Sequence, residues 1–499
     1  MRVNDEEFAA SLKIRRGGEE PLSAQLYRQV RAAVMFGEMP SGSLLPSTRS
    51  LARLLNVSRA VVVQTYELLA ADGVLQLQAK ARPRVLAPAV FEGAARKEVG
   101  EAEFALSERG RRVSQQHRYM AADGARRLLS PGRPDIDSFP RAQWGRALRR
   151  AAAQLSARDS SYQTTAAVPR LQRVLQGHLL QARGVQAKSE QVIVVPGVQA
   201  ALYLCALIFG DEVGAALIEE PGYLGARAAF ASCGLQMSAA APGALAQKVM
   251  DMQREGQAPQ LIYTSPSHQF PLGRRMPVRE RLALIEAART CGAMLLEDDY
   301  DSEFLFDGRP LVAMQGLSPE NGVVYIGTAS KSLLPAVRLA YVVVPEPFTA
   351  AFASAQRNVG ALVNAHVQLA FAELIESGEL RAHLRRISRD YAVKALRLYE
   401  LVHEKLSGAV QAERPSGGLQ MALKFVHRFA GVDDVVVARA LNEKGFAVNP
   451  LSAYCLGTAQ RGLVVGTADA EESICAEFCD VLLAAITSAA EKKQSESVG

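Results

Sequence analysis

Six short apolar runs, at 192–195, 215–219, 260–264, 293–297, 323–326 and 339–344, constrain the fold more than any other feature of this chain. Most of them are followed by a stretch of helical period. Strands that read as continuous apolar runs are buried on both faces, and connections long enough to hold a helix let neighbouring strands run parallel. The expectation is an α/β domain around a mainly parallel sheet. In such sheets ligands collect beyond the carboxyl ends of the strands.

The residues at those ends carry specific chemistry. The run at 323–326 breaks at Gly327 into Thr328, Ser330, Lys331 and Ser332. Desolvation disfavours a charged amine, so a lysine in a dry pocket at a strand end can be kept neutral and nucleophilic. The neighbouring hydroxyls can donate to a phosphate. The run at 293–297 leads into Asp298 and, two residues on, Tyr300. A carboxylate, a phenol and a lysine at adjacent strand ends are the groups that pyridoxal 5'-phosphate requires: the acid keeps the ring nitrogen protonated, the phenol holds the ring hydroxyl and the amine condenses with the aldehyde. Lys331 is accordingly the expected catalytic residue. Gly197, Val198 and Gln199 leave another strand and enter a helix, offering backbone amides to the phosphate. Tyr223 can stack on the ring, and Arg338 can give the phosphate two donors.

A length of 499 residues suggests two or more domains. The chain begins with an acidic segment rather than an apolar signal, and no window approaches twenty uninterrupted apolar residues. A cytoplasmic location without membrane contact is expected. The six cysteines lie in apolar surroundings without metal-ligand spacing and read as buried thiols, with no metal site.

Charge separates the front of the chain from the rest. Between Lys13 and Pro88 stand eleven Lys/Arg and five Asp/Glu, an excess equal to the +6 net charge of the whole chain. A small basic module joined to a neutral large one points to nucleic acid as partner of the first part. Its pattern agrees. Leu22, Leu26, Val30 and Val34 form one stripe of a helix ending at Gly37. Ser47 or Thr48 caps a short helix carrying Leu51, Leu54 and Leu55, and Ser58 caps a longer one, 59–71, with Val62, Tyr66 and Leu69 inward and Gly73 as its stop. Two short alternating runs, 74–77 and 83–86, flank the basic tip at Lys80 and Arg82. This is a winged helix-turn-helix, whose second helix of the pair can enter a major groove. Caps and flanking arginines can bind phosphates. Arg49, Ser58, Arg59 and Gln64 are the expected DNA-binding residues on the reading side, with Lys80 and Arg82 on the wing.

Through Leu45-Pro-Ser-Thr-Arg49-Ser-Leu-Ala52, Val57-Ser-Arg59 and 65–73, the segment resembles the winged helix-turn-helix of GntR regulators. Through Pro196-Gly-Val-Gln-Ala, Glu220-Pro-Gly-Tyr223, Thr264-Ser-Pro-Ser-His268-Gln-Phe-Pro-Leu-Gly273, 296–304 and Gly327-Thr-Ala-Ser-Lys331, the large part resembles fold-type-I aminotransferases. The combination resembles the MocR/GabR-type subfamily of GntR regulators. The expected organisation is a DNA-binding domain at 13–87, a linker at 88–125 that is partly helical at most, and a pyridoxal-phosphate-binding domain at 126–490. The resemblance implies that Lys331 bears the cofactor, that Asp298 pairs with the pyridine nitrogen and that Tyr300 meets the ring hydroxyl. It further implies a head-to-tail homodimer.

The chain departs from the aminotransferase pattern at three places. Phe270 stands where many aminotransferases have an asparagine beside the ring hydroxyl; His268 or Gln269 can compensate for the loss, and a structural role for them is an equal expectation. The loop 162–167 lacks the usual Asp-Pro-x-Gly. Val464 lies where transaminases usually put an arginine for the substrate carboxylate. Arg461 is near, but three residues along a strand turns a side chain to the other face. The expectation is therefore a transcriptional regulator that binds promoter DNA and senses pyridoxal phosphate itself or an amine or amino acid that condenses with it. The alternative is a working aminotransferase with an appended DNA-binding domain, and Val464 argues against its efficiency.

Overall fold

A computed structural model describes residues 3–17, 20–35, 38–79, 81–86, 105–116, 127–155, 167–320 and 322–498, the last five by backbone alone. Lys80, the expected helix stop at Gly37, residues 162–166 of the departing loop and most of the expected linker lie outside these residues. The chain divides into two units, Met1–Ala105 and Leu106–Gly499.

The first unit is built from α1 (Asp5–Ser11), α2 (Leu22–Met35), α3 (Thr48–Leu55), α4 (Arg59–Ala71) and a wing of β1 (Leu75–Gln76) paired antiparallel with β2 (Arg84–Val85). Ser47 caps α3 by accepting from the Ser50 amide, and Ser58 caps α4 by accepting from Val61. Each cap satisfies an amide that a helix start leaves orphaned. Between them Asn56 adopts a left-handed conformation at φ 51° and turns the chain. Leu26, Val30, Leu51, Val62, Tyr66 and Leu69 close the core, and the Tyr66 hydroxyl ties α4 to the carbonyl of Pro46 at 2.9 Å. Phe8 and Leu12 belong to the same core, so packed structure begins ahead of Lys13. Helix α1 does not emerge from the sequence pattern: at 7 residues it offers barely two turns of periodicity.

The second unit opens with α5 (Glu108–Gln115), whose Arg112 bonds Glu212 at 2.9 Å, then α6 (Arg141–Gln154) and α7 (Pro169–Arg183). A seven-stranded sheet follows: β3 (Val192–Val195), β4 (Ala215–Glu219), β5 (Gln236–Ala240), β6 (Leu261–Thr264), β7 (Met294–Asp299), β8 (Val323–Thr328) and β9 (Ala340–Val343). Their spatial order is β3-β9-β8-β7-β6-β4-β5. Only β9 is reversed, pairing antiparallel with both β3 and β8. Strand periodicity distributes the apolar residues to two cores: Val192 and Val194 pack on one side with α7, Ile193 and Val195 on the other with α8 (Val198–Phe209). The edge strand β5 was absent from the expected set. It is half exposed and made of Gln, Met, Ser and Ala, so it shows no apolar run.

A second, antiparallel sheet carries β10 (Val410–Ala412), β11 (Gln420–Phe425), β12 (Asn449–Pro450) and β13 (Gly462–Gly466) in the order β10-β11-β13-β12. The helix Glu379–Leu406 and the C-terminal helix Glu472–Val498 cover it. The stretch Glu472–Lys493 of that last helix is long and apolar enough to cross a membrane by length and composition. Glu477 and Asp480 interrupt it, and its Cys475, Phe478, Cys479, Leu482 and Ile486 face is buried in this core.

Candidate functional site

Beyond the carboxyl ends of β7 and β8 lies a cavity of about 500 Å³. Nine of the ten residues expected to form one pocket line it: Gly197, Val198, Tyr223, Asp298, Tyr300, Thr328, Ser330, Lys331 and Arg338. Gln199 does not. Its side chain turns away to donate to the carbonyl of Gly225 at 3.0 Å.

Strand alternation sorts the acids that end β7. Asp298 faces the cavity. Its neighbours face the opposite side, where Glu297 accepts from the amides of Met314 and Gln315 and Asp299 is held by Arg183 at 2.6 Å. Asp298 is 3 % exposed, and its Oδ2 accepts from the Tyr263 hydroxyl at 2.7 Å. Its Oδ1 is buried with no hydrogen-bond partner among the described residues. Burial pushes the carboxyl up to about 7, against the pull of Tyr263 and Lys331. For Asp299 burial also opposes ionisation, yet Arg183, Tyr325 and Ser267 together hold it below the usual carboxylate range.

The strand β8 runs on to Thr328, and Lys331 sits on the short helix Ala329–Ser332 that follows. A glycine is required at 327, because a β-carbon there would lie 2.3 Å from the Tyr341 ring. The Lys331 amine donates to the carbonyl of Gly132 at 2.6 Å. One residue further, the Ser332 carbonyl accepts from Nε2 of the buried His383 at 3.0 Å. Burial and the adjacent Arg386 press that imidazole down to about 4.

The Tyr300 hydroxyl donates to the carbonyl of His268 at 2.9 Å and accepts from Gln420 Nε2 at 2.5 Å. Gln420 comes from β11 in the other sheet. His268 and Gln269 do not compensate for Phe270 inside the cavity but take the structural alternative: the His268 ring bonds Asp301, and Gln269 donates to the carbonyl of Pro221. Phe270 stands edge-on to Tyr223, Tyr300 and Tyr454, forming an aromatic wall. At the other end, Gly197 opens α8 at φ 108° without a side-chain cap, and a β-carbon there would crowd the Arg338 guanidinium at 3.3 Å. Arg338 itself donates to the carbonyl of Pro196 at 2.5 Å.

Val464 is buried with Leu451 and Tyr454, and Arg461 is tied to Asp434 at 2.9 Å, so neither lines the cavity. Sequence reasoning missed Tyr263, Gln420, Asn449 and Tyr454, together with Arg127 and Arg133 on the segment before α6. The aromatic character of Tyr263 inside an apolar run was the one available signal for that residue.

In the first unit Arg49, Ser58, Arg59 and Gln64 are all exposed. Arg82 is engaged within the protein, its guanidinium bonding both Asp5 oxygens at 2.8 and 2.9 Å. The Ser50 hydroxyl joins the same carboxylate at 2.8 Å.

Comparison with known proteins agrees with this two-part construction. A family model described as bacterial regulatory proteins, gntR family, matches residues 22–85. The chain is 34% identical to the probable rhizopine catabolism regulatory protein MocR of Rhizobium meliloti, over 92% of each chain. It is 29% identical to the pyridoxine biosynthesis transcriptional regulator PdxR of Corynebacterium glutamicum, over 95% of this chain and 99% of that one. The structure superposes on LysN, an α-aminoadipate aminotransferase of Thermus thermophilus solved with N-(5'-phosphopyridoxyl)-L-leucine, with a TM-score of 0.66 and 24% identity, covering 73% of this chain and 92% of that one.

Proposed function

The chain belongs to the MocR-type transcriptional regulators, with a GntR DNA-binding domain joined to an aminotransferase-like domain, and from that premise we propose that the large domain holds pyridoxal 5'-phosphate on Lys331 and reports an amine effector to promoter DNA. The observation that carries the reading is the buried, unpartnered Oδ1 of Asp298 in the same cavity as the Lys331 amine. An acid raised to about 7 by burial is poised to ionise when a cationic ring nitrogen arrives.

The residues present fit the group. Asp298 Oδ1 would take the ring nitrogen, with Tyr263 fixing the other oxygen. Tyr223 would flank the ring, and Tyr300 would turn its hydroxyl from the His268 carbonyl to the ring oxygen. The amides at the start of α8, the hydroxyls of Thr328 and Ser330, and Arg338 would hold the phosphate. When bound, the cofactor supplies an aldehyde with which a primary amine can condense. Lys331 and a free amine would then compete for one position, and the loser would be displaced. Displacement can act on the DNA only if the two states differ in how the reading helices are presented. A head-to-tail homodimer in the cytoplasm, with its two front domains on two half-sites, gives that difference a readout.

The test is a mobility-shift titration of purified protein on its own upstream DNA at moderate salt, with and without amines. An amine-dependent change in affinity is expected. No shift of that DNA under any condition would overturn the proposal.

A further inference from the structure

The cavity holds more positive charge than the cofactor's phosphate accounts for. Beside Lys331 and Arg338 it is lined by Arg127 and Arg133, against a single carboxylate, Asp298. Among the described residues neither Arg127 nor Arg133 makes a side-chain hydrogen bond or ion pair. Asp469, whose ionisation Arg133 favours, has both oxygens on the amide of Leu129. Arg338, the other arginine lining the cavity, donates to the carbonyl of Pro196 and is assigned to the phosphate.

The segment bearing the two arginines is anchored rather than loose. The Ala447 amide donates to the Leu128 carbonyl at 2.7 Å, and the Gly466 amide donates to Leu129 at 2.6 Å. Gly132, whose carbonyl receives the Lys331 amine, immediately precedes Arg133. A β-carbon on Gly132 would be 3.5 Å from the Lys331 amine. The segment therefore touches the reacting amine through Gly132 and brings two guanidinium groups to the same cavity.

We infer that Arg133, with Arg127, is the anchor for the acidic group of an acid-bearing amine effector at this site. The inference rests on the proposed cofactor and amine chemistry at Lys331. It assigns to 127–133 the charge recognition that Val464, buried in its apolar cluster, does not provide. Arg127 is half-buried and Arg133 exposed at the cavity wall. An arginine fork meeting an anion there gives charge-assisted hydrogen bonds worth about tenfold in affinity.

The experiment uses the full chain loaded with pyridoxal phosphate. A series of linear α- and ω-amino acids, an aminosulfonate and alkylamines of matching length lacking the acid are titrated by absorbance and by calorimetry. The wild type is expected to prefer the acid-bearing amines by about tenfold. Arg133→Gln and the Arg127→Gln/Arg133→Gln pair should collapse that ratio, and Arg133→Lys should retain part of it. The ratio is read within each variant, so a general loss of stability does not imitate the result. A wild type that responds to amines without preferring acids, or a double variant that keeps the preference, overturns this inference and leaves the proposed function standing. A wild type that responds to no amine overturns both.

Discussion

The Tyr263 hydroxyl donates to one oxygen of Asp298 at 2.7 Å and leaves the other buried without a hydrogen-bond partner among the described residues. An acid held this way is unfavourable to the empty protein and useful to a cationic ligand. Its carboxyl titrates at about 7 in the folded chain against 3.8 in its ordinary state. The contribution is fully present below 3.8 and is lost as the pH rises toward about 7, because the folded state must then ionise a buried group. Asp298→Asn should raise the melting temperature of the cofactor-free protein at pH 8 and leave it unchanged near pH 3.5. The same variant should bind pyridoxal phosphate more weakly, by a factor on the order of 10². Calorimetric melts at the two pH values and a cofactor titration check both halves.

His383 gives the opposite pH dependence. Its folded value near 4 lies below the ordinary 6.5, so its contribution to stability is present above 6.5 and lost as the pH falls toward 4. His383→Gln should flatten the acid side of the stability profile between those values. At pH 8 it should cost about 1 kcal/mol through the lost bond to the Ser332 carbonyl. Thermal melts across the pH range test this.

In the first unit, the bidentate Asp5–Arg82 pair ties α1 to the wing. Arg82→Ala should destabilise the protein by about 1 kcal/mol and Asp5→Ala by more, since it also removes the bond from Ser50. The double variant should cost no more than Asp5→Ala alone, because the Arg82 contribution runs through the same carboxylate. On DNA, Arg82→Ala should change the salt slope by well under the unit expected for a phosphate contact.

Arg59, the first residue of α4, and Gln64 project to solvent on the helix expected to read DNA. Arg59→Ala should weaken binding evenly across sequences and reduce the salt slope by about one. Gln64→Ala should relax the preference at one base position, costing about 1–3 kcal/mol on the preferred operator. Binding isotherms on an operator and its single-base variants separate the two.

Local chemistry was legible in the sequence, and long-range convergence was not. Serine caps, the left-handed turn region and the apolar strands can be read because each depends on neighbours within a few residues. The wall of the cavity assembled from β7, β8 and the start of α8 was legible for the same reason: strand ends in this sheet share an edge. Gln420 was not, since it reaches Tyr300 from a strand of another sheet, and nothing near it in the chain marks that contact. Nor were Arg127 and Arg133, which read as ordinary charges until the segment is seen to touch Lys331. Strand β5 and helix α1 failed for want of pattern, one through half-exposed small residues and the other through shortness.

The central claim is a covalent bond between the Lys331 amine and pyridoxal phosphate, and it is tested most directly by borohydride reduction of the purified holo-protein followed by peptide mass spectrometry. The account predicts a pyridoxyl adduct on the peptide containing Lys331, absent from Lys331→Ala. An adduct on a different lysine, or none, would contradict it.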